Sequence, residues 1–266
     1  MSKALKIFLA VILAFLYVPI ILLVIGSFNT GTDLAVIKGF TLSNYVELFR
    51  DKTLIPLLLN SIIVAVLSSV IATVLGTAAA LGIKNFGRRS RSAILTITNI
   101  PMTNPDIVTG VSLSLLFVFI GSIFKQKEVL GFVTLLLAHI TFNLPYVILS
   151  VMPRVNDMDP SLREAAMDLG CTPSQVFMKV TLPLSVSGII SGVSMVFVPA
   201  VSTFYISKKL GGSGTTLIGD VIESQFKTAY NPNLGAAISL LLMAMVFICI
   251  GLMERFTDPE DRGSWM

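Results

Sequence analysis

Only 13% of the 266 residues carry a charge, and the chain holds one histidine, two cysteines and one tryptophan. Each shortage excludes a class of function. A lone histidine, His139, cannot by itself build a zinc site, which needs several nitrogen or sulfur ligands. The two cysteines fall in a polar loop (Cys171) and inside an apolar run (Cys249), so they are not placed to pair, and both read as structural. No G-x-S-x-G elbow and no H-E-x-x-H pair occurs. Gly82 and Gly87 have the spacing that opens a phosphate-binding loop, but Arg88 and Arg89 stand where Lys and Ser or Thr are required, and an apolar run precedes them. The sequence therefore offers no catalytic residue, no metal ligand set and no cofactor site. Any energised work has its catalytic site on another chain.

What remains is apolar. Residues of the hydrophobic classes make up 54% of the chain and the mean hydropathy is +0.87, far outside the soluble range. Runs long enough to cross a hydrocarbon core of ~30 Å lie at 7–26, 55–83, 93–124, 129–152, 184–206 and 234–253. These imply an all-α polytopic membrane protein with six transmembrane helices in one domain, 1–266. The third run, of 32 residues, is too long for one straight crossing. Pro101 and Pro105 near its start point to a kinked or interrupted helix. Lys84, Arg88, Arg89 and Arg91 crowd the loop after the second run with no acid beside them, which places that loop, and with an even span number both termini, in the cytoplasm. Eleven basic residues then lie inside and eight outside. The net charge of +4 follows from this topology and carries no implication of nucleic-acid binding. The first run lacks a convincing cleavage site and reads as a retained anchor.

The cytoplasmic loop at 159–180 is unusually well punctuated. Asp159 and Pro160 form an N-cap and first-turn pair, Glu164 puts a carboxylate near the positive helix end, and Gly170 stands where a C′ glycine ends a helix. Thr172-Pro173 repeats the cap, and the pattern predicts a second short helix to about residue 180, set at an angle to the first. An interfacial hairpin that merely spaces the fourth and fifth spans has the same signature.

Glu164-Ala165-Ala166, then Gly170, then nine residues before Val180-Thr181-Leu182-Pro183, resembles the signature loop of the integral permease subunits of binding-protein-dependent ABC importers; Asp168 matches as well. Phe40-Thr41-Leu42-Ser43-Asn44-Tyr45, Asn104-Pro105-Asp106-Ile107-Val108 and His139-Ile140-Thr141-Phe142-Asn143-Leu144-Pro145-Tyr146 narrow the resemblance to spermidine/putrescine permeases of the PotC-like type. Phe197 to Phe204 with Leu210-Gly211-Gly212 is also similar to the PotB-like partner. The resemblance implies a MetI-like helical bundle in the bacterial cytoplasmic membrane. It also implies a second permease subunit, a dimer of PotA-like ATP-binding subunits holding ATP and Mg, and a PotD-like extracytoplasmic polyamine-binding protein. Residues 161–169 would be the coupling helix, with Arg163, Glu164 and Asp168 as polar contacts, Ala165 and Ala166 permitting close approach, and Gly170 as pivot. Amino acids, sulfate or metal chelates are alternative cargoes, since the loop is common to importers of all of them. An ion-coupled secondary transporter would need more intramembrane charge and repeated halves.

Asp106 is the one acid within a run, which marks it as a contact for a cationic solute or as the start of a restarted helix after Asn104-Pro105. His139, Asn143 and Tyr146 share a helical face, either lining a path or satisfied within the packing. Ser202, Tyr205 and a flexible glycine turn at 211–214 stand where a delivered substrate would arrive, and Asp220 and Glu223 are placed to meet a binding protein or water. Ser68, Ala72, Gly76 and Ala80, and Gly188 with Gly192, form small-residue stripes suited to close helix packing.

Overall fold

Helices follow the apolar runs almost throughout the computed structural model, which describes residues 3–255 except 32, 34, 35, 127 and 213. Lys127 and Arg262, counted above for orientation, lie outside the described residues, as does Ser213. The elements are α1 (Lys3–Ser27), α2 (Ser43–Arg50), α3 (Leu54–Lys84), α4 (Arg88–Thr103), α5 (Asp106–Ile123), α6 (Phe132–Asp157), α7 (Pro160–Asp168), α8 (Pro173–Val176), a π-turn (Phe177–Thr181), α9 (Leu182–Ser202), α10 (Tyr205–Leu210), α11 (Ile218–Lys227) and α12 (Pro232–Glu254). Among the described residues there is no strand, only an isolated bridge between Asn29 and Phe40. Among the described residues six helical segments are long and apolar enough to span a membrane. The chain is a multi-pass membrane protein.

The core is a trio of helices, α6 packed between α3 and α9. The small-residue stripes make this approach possible. Ser68, Ala72, Gly76 and Ala80 are all buried on the face of α3 turned to α6, and a Cβ on Gly76 would lie 2.7 Å from Val147 Cγ1. On the other side Gly188 of α9 admits Arg154 and the Ser150 carbonyl, and Ser150 Oγ donates to the Gly188 carbonyl at 2.7 Å. Val147, Val151 and Val196 fill the space between. Peripheral α1 packs on α12 and leaves nearly all its apolar side chains exposed, as a lipid-facing helix does. At its C-terminal end Asn44 Nδ2 donates to the Ser27 carbonyl at 2.9 Å and Tyr45 Oη to Ser27 Oγ at 2.8 Å, pinning α2 across that end. The Asn44-Tyr45 pair of the sequence motif is thus a fastener for the segment that follows α1.

Several expected boundaries move. The 93–124 run is not one span: α4 ends at Asn104, whose extended ψ of 142° breaks the helix, and the membrane-spanning segment is Asp106–Ile123. The residue before a proline is pushed out of the helical region by the ring, which places the break at Asn104. Arg88, Arg89 and Arg91, read as loop, form the first turn of α4. The fourth helix runs past its expected end at 152 to Asp157, because Val155 is buried and packing outweighs the proline at 153. The second short helix of the 159–180 loop is not a separate element: α8 continues through the π-turn into α9 as one apolar segment, Pro173–Ser202. Pro183 has no N–H to give and its ring crowds the preceding turn, and the wider turn here is closed by the Leu182 N–H donating to the Phe177 carbonyl, five residues back. The glycine turn is packed at Gly211 and Gly212, while Gly214 has open space around it. Gly212 (φ +61°) lies flat against the Leu130 carbonyl, where no side chain would fit.

Candidate functional site

The polar element between α6 and the α8–α9 segment is α7, and its ends are built by local chemistry. Asp159 Oδ1 accepts from the Ser161 N–H at 2.9 Å, and Pro160 occupies the first turn, where no donor is missed. That backbone hydrogen bond holds the Asp159 carboxyl below the ordinary aspartate range. At the other end the Gly170 N–H donates to the Met167 carbonyl at 2.8 Å and the Cys171 N–H to the Ala166 carbonyl at 3.0 Å, the two bonds of a Schellman motif. Gly170 supplies the positive φ, +85°, that this motif requires. Thr172 then caps α8, accepting from the Gln175 N–H while Gln175 Oε1 accepts from the Thr172 N–H at 2.9 Å.

No residue of α7 is buried. Arg163, Glu164, Ala165, Asp168 and Gly170 are exposed and Ala166 is half-buried. Leu162 and Met167 are nearly half exposed and Leu169 is 86% exposed. The result is an ordered, capped, nine-residue helix that presents apolar knobs beside charges. It is also well connected. Buried Met158 joins it directly to α6, and Gly170 to Thr172 join it to the α8–α9 segment, so both ends of α7 run into core helices. Lys84 braces the same corner: its Nζ donates to the Val155 carbonyl at 2.6 Å, tying the end of α3 to the end of α6. The sequence reading used Lys84 only as an orientation charge, and a lone lysine closing a long apolar run was the available signal.

The candidate path residues do not converge on one cavity. Asp106 is exposed at the first turn of α5, just past the break at Asn104, so the helix-restart reading holds, with Pro105 at the N-cap and Asp106 the first helical residue. Asn143 is buried in the α3–α6 seam and donates Nδ2 to Ser68 Oγ at 3.4 Å. His139 is buried one turn above, with Nδ1 2.8 Å from the Leu135 carbonyl and Nε2 without a partner among the described residues. Tyr146 is half-buried on the same helix. Ser202 is exposed and donates back to the Val198 carbonyl at 3.0 Å, while Tyr205, half-buried, packs edge-on to Phe204.

Asp220 and Glu223 are engaged within the chain. Asp220 accepts from Ser207 Oγ at 2.8 Å and from the Leu217 N–H at 2.9 Å, capping α11, and burial pushes its carboxyl up despite those bonds. Glu223 bridges Lys227 and Lys208, each at 3.0 Å; the hydrogen bond from Lys227, then that from Lys208, holds its carboxyl low. Its side chain is only 10% exposed.

The profile of the family described as "Binding-protein-dependent transport system inner membrane component" matches residues 72–259. The putrescine transport system permease protein PotI of Escherichia coli (strain K12) is 35% identical over 252 residues, which are 93% of this chain and 90% of that protein. The spermidine/putrescine transport system permease protein PotC of Haemophilus influenzae is 33% identical over 243 residues, 91% of this chain and 92% of that one. Among solved structures, a bacterial ABC transporter involved in the import of the acidic polysaccharide alginate superposes with a TM-score of 0.75 at 18% identity, covering 96% of both chains. The methionine ABC transporter MetNI in inward-facing conformations gives 0.60 at 18% identity over 76% of this chain and 93% of that one. At such identities these two speak for the fold alone.

Proposed function

Because the chain belongs to the family of binding-protein-dependent transport system inner membrane components, we propose that it is a permease subunit of an ATP-driven importer of polyamines. The observation that carries the coupling half of this reading is α7: without a buried residue, capped at both ends, and continuous with two of the three core helices. The cargo half draws on the putrescine and spermidine/putrescine relatives. The chain contributes no catalytic group; ATP and Mg bind on a PotA-like ATPase dimer, a second PotB-like permease completes the path, and a PotD-like protein delivers the solute from outside. The membrane is the bacterial inner membrane, with both termini in the cytoplasm.

In this mechanism closure of the ATPase dimer displaces α7, with Leu162, Met167 and Leu169 as the apolar grip and Arg163, Glu164 and Asp168 at the rim. The displacement enters α6 and α9 together, since α7 is joined to both. Asp106 offers a transient stop for a polyamine ammonium, and Ser202 and Tyr205 lie where the solute arrives. On α6 the half-buried Tyr146 is the residue offered to the path, with Asn143 behind it bonded to Ser68 in the α3–α6 seam. Weak contacts suit such a route, because tight binding would slow release.

The test is ATP-dependent uptake of labelled putrescine and spermidine by vesicles holding the chain with its ATPase, second permease and binding protein. Uptake is expected for wild type, loss with full assembly for Glu164→Lys, and a severalfold fall for Asp106→Ala. Uptake of neither polyamine alongside uptake of another solute would overturn the cargo assignment, and full activity of the Glu164→Lys complex would overturn the coupling assignment.

A further inference from the structure

The outward face of α4 holds none of the docking or path residues named above and is uncovered within the chain. Arg89, Ser92, Ala93, Thr96, Ile97 and Ile100 recur at spacings of three and four, share one helical face, and are all exposed. The opposite face, with Ile94 and Leu95, rests on the core cluster of α3 and α6. Polarity along the outward stripe falls in one direction: Arg88 and Arg89 stand at its start, the hydroxyls of Ser92 and Thr96 follow, and Ile97 (67% exposed) and Ile100 (51%) close it. A shallow groove of about 500 Å³ runs along Arg89, Ser92, Ala93, Thr96 and Ile97. From Arg89 to Ile100 the helix rises about 16 Å, close to one leaflet's share of a ~30 Å hydrocarbon core.

The start of the stripe adjoins further cations. The charges that act on Lys84, at the adjoining end of α3, are those of Arg163 and Arg91, both cations. Arg88 and Arg89 make no ion pair among the described residues. A site that is cationic at one end and increasingly apolar over the depth of one leaflet complements a molecule with an anionic head and a hydrocarbon tail. A soluble acidic surface would satisfy the arginines and leave the isoleucines bare.

We propose that this stripe binds an anionic phospholipid, its phosphodiester on Arg88 and Arg89 and an acyl chain along Ala93, Ile97 and Ile100. The site is independent of the cargo. The orientation argued above assigns it to the inner leaflet, and the binding measurement does not require that assignment.

The test uses the full-length chain, in its assembled complex, titrated with phosphatidylglycerol and phosphatidylcholine of identical acyl chains and read by native mass spectrometry. Wild type should prefer phosphatidylglycerol. Losing one arginine near an anionic surface weakens binding about fivefold, so Arg88→Gln with Arg89→Gln should lower phosphatidylglycerol affinity about thirtyfold and leave phosphatidylcholine binding unchanged. Lys3→Gln with Lys6→Gln removes the same charge from the start of α1 and should change little. Ile97→Ser with Ile100→Ser keeps the arginines and should weaken both lipids alike; it decides the matter if the arginine variant fails to assemble. Equal binding of the two lipids by wild type, an equal loss in the lysine control, or full displacement of the lipid by inorganic phosphate would overturn the proposal. So would a photo-crosslinker at Ala93 that captures another protein chain in the complex and no lipid.

Discussion

Asp159 and Gly170 decide between them whether α7 exists as a helix, since nothing buries it. The Ser161 N–H holds the Asp159 carboxyl below its ordinary pKa. A carboxylate with a depressed folded value contributes stability that is present above its unfolded pKa and is lost as pH falls through the folded one. A spin label at Ala165 should therefore be ordered at neutral pH and gain mobility only as pH drops below the normal aspartate range; Asp159→Ala should be mobile at every pH. A wild-type spectrum that does not change on acidification would show that the cap does not hold the helix. Gly170 acts through its backbone alone. Its φ is +85° and a Cβ there would meet nothing within 4 Å, so Gly170→Val costs only strain, about 1–3 kcal/mol. Expected is a complex that assembles with ordinary yield and loses most coupled ATPase stimulation. Stimulation equal to wild type would mean the left-handed turn is dispensable.

The elements owe their arrangement to where side chains are small. The stripe on α3 brings its backbone against α6, and Gly76 leaves Val147 no room for an added carbon, whereas Gly82 six residues on has open space. Overpacking a close seam typically costs about 1–3 kcal/mol, so Gly76→Leu should lower the thermal midpoint of the detergent-solubilised chain by several degrees. Gly82→Leu, the matched insertion, should leave it where it was. Equal midpoints for both would mean α3 and α6 do not rely on that contact. These stripes, the six spans and the caps of α7 were legible in the sequence because each is written in residues a few positions apart: Asp159 with Pro160, Gly170 before Thr172-Pro173, Ser68 with Ala72. The π-turn was not, since it arises from how Pro183 is absorbed into a continuing helix under core packing. Glu223 was read as facing outward because its bridge to Lys208 crosses from α11 to α10, and Asp220 because the Ser207 hydroxyl that it accepts from comes from α10 too. The path candidates were scattered in the structure for a related reason. Polarity within a span marks a residue as costly but does not say whether the polar group lines a path or, as for Asn143 against Ser68, finds a partner in a neighbouring helix.

At the scale of the whole molecule the question is what moves when α7 is pushed. The loop feeds α6 and α9 at once, and those two helices are joined by the Ser150 hydroxyl on the Gly188 carbonyl and by glycines that let the backbones touch. Tightly interlocked surfaces switch between discrete packings and do not slide continuously. The α6–α9 pair should therefore travel as one body, with rearrangement confined to thinner contacts around it, such as the α4–α5 break. A covalent lock tests this directly. A Cβ on Gly192 would sit 3.5 Å from Ser150 Cβ, within the range that a disulfide spans. With Cys171 and Cys249 first replaced by serine, Ser150→Cys with Gly192→Cys should oxidise readily. Uptake by the reconstituted importer should then be the same, within about twofold, before and after reduction. If oxidation instead stops uptake and a reductant restores it, α6 and α9 must shift against each other in every cycle, and the force entering through α7 is divided between them.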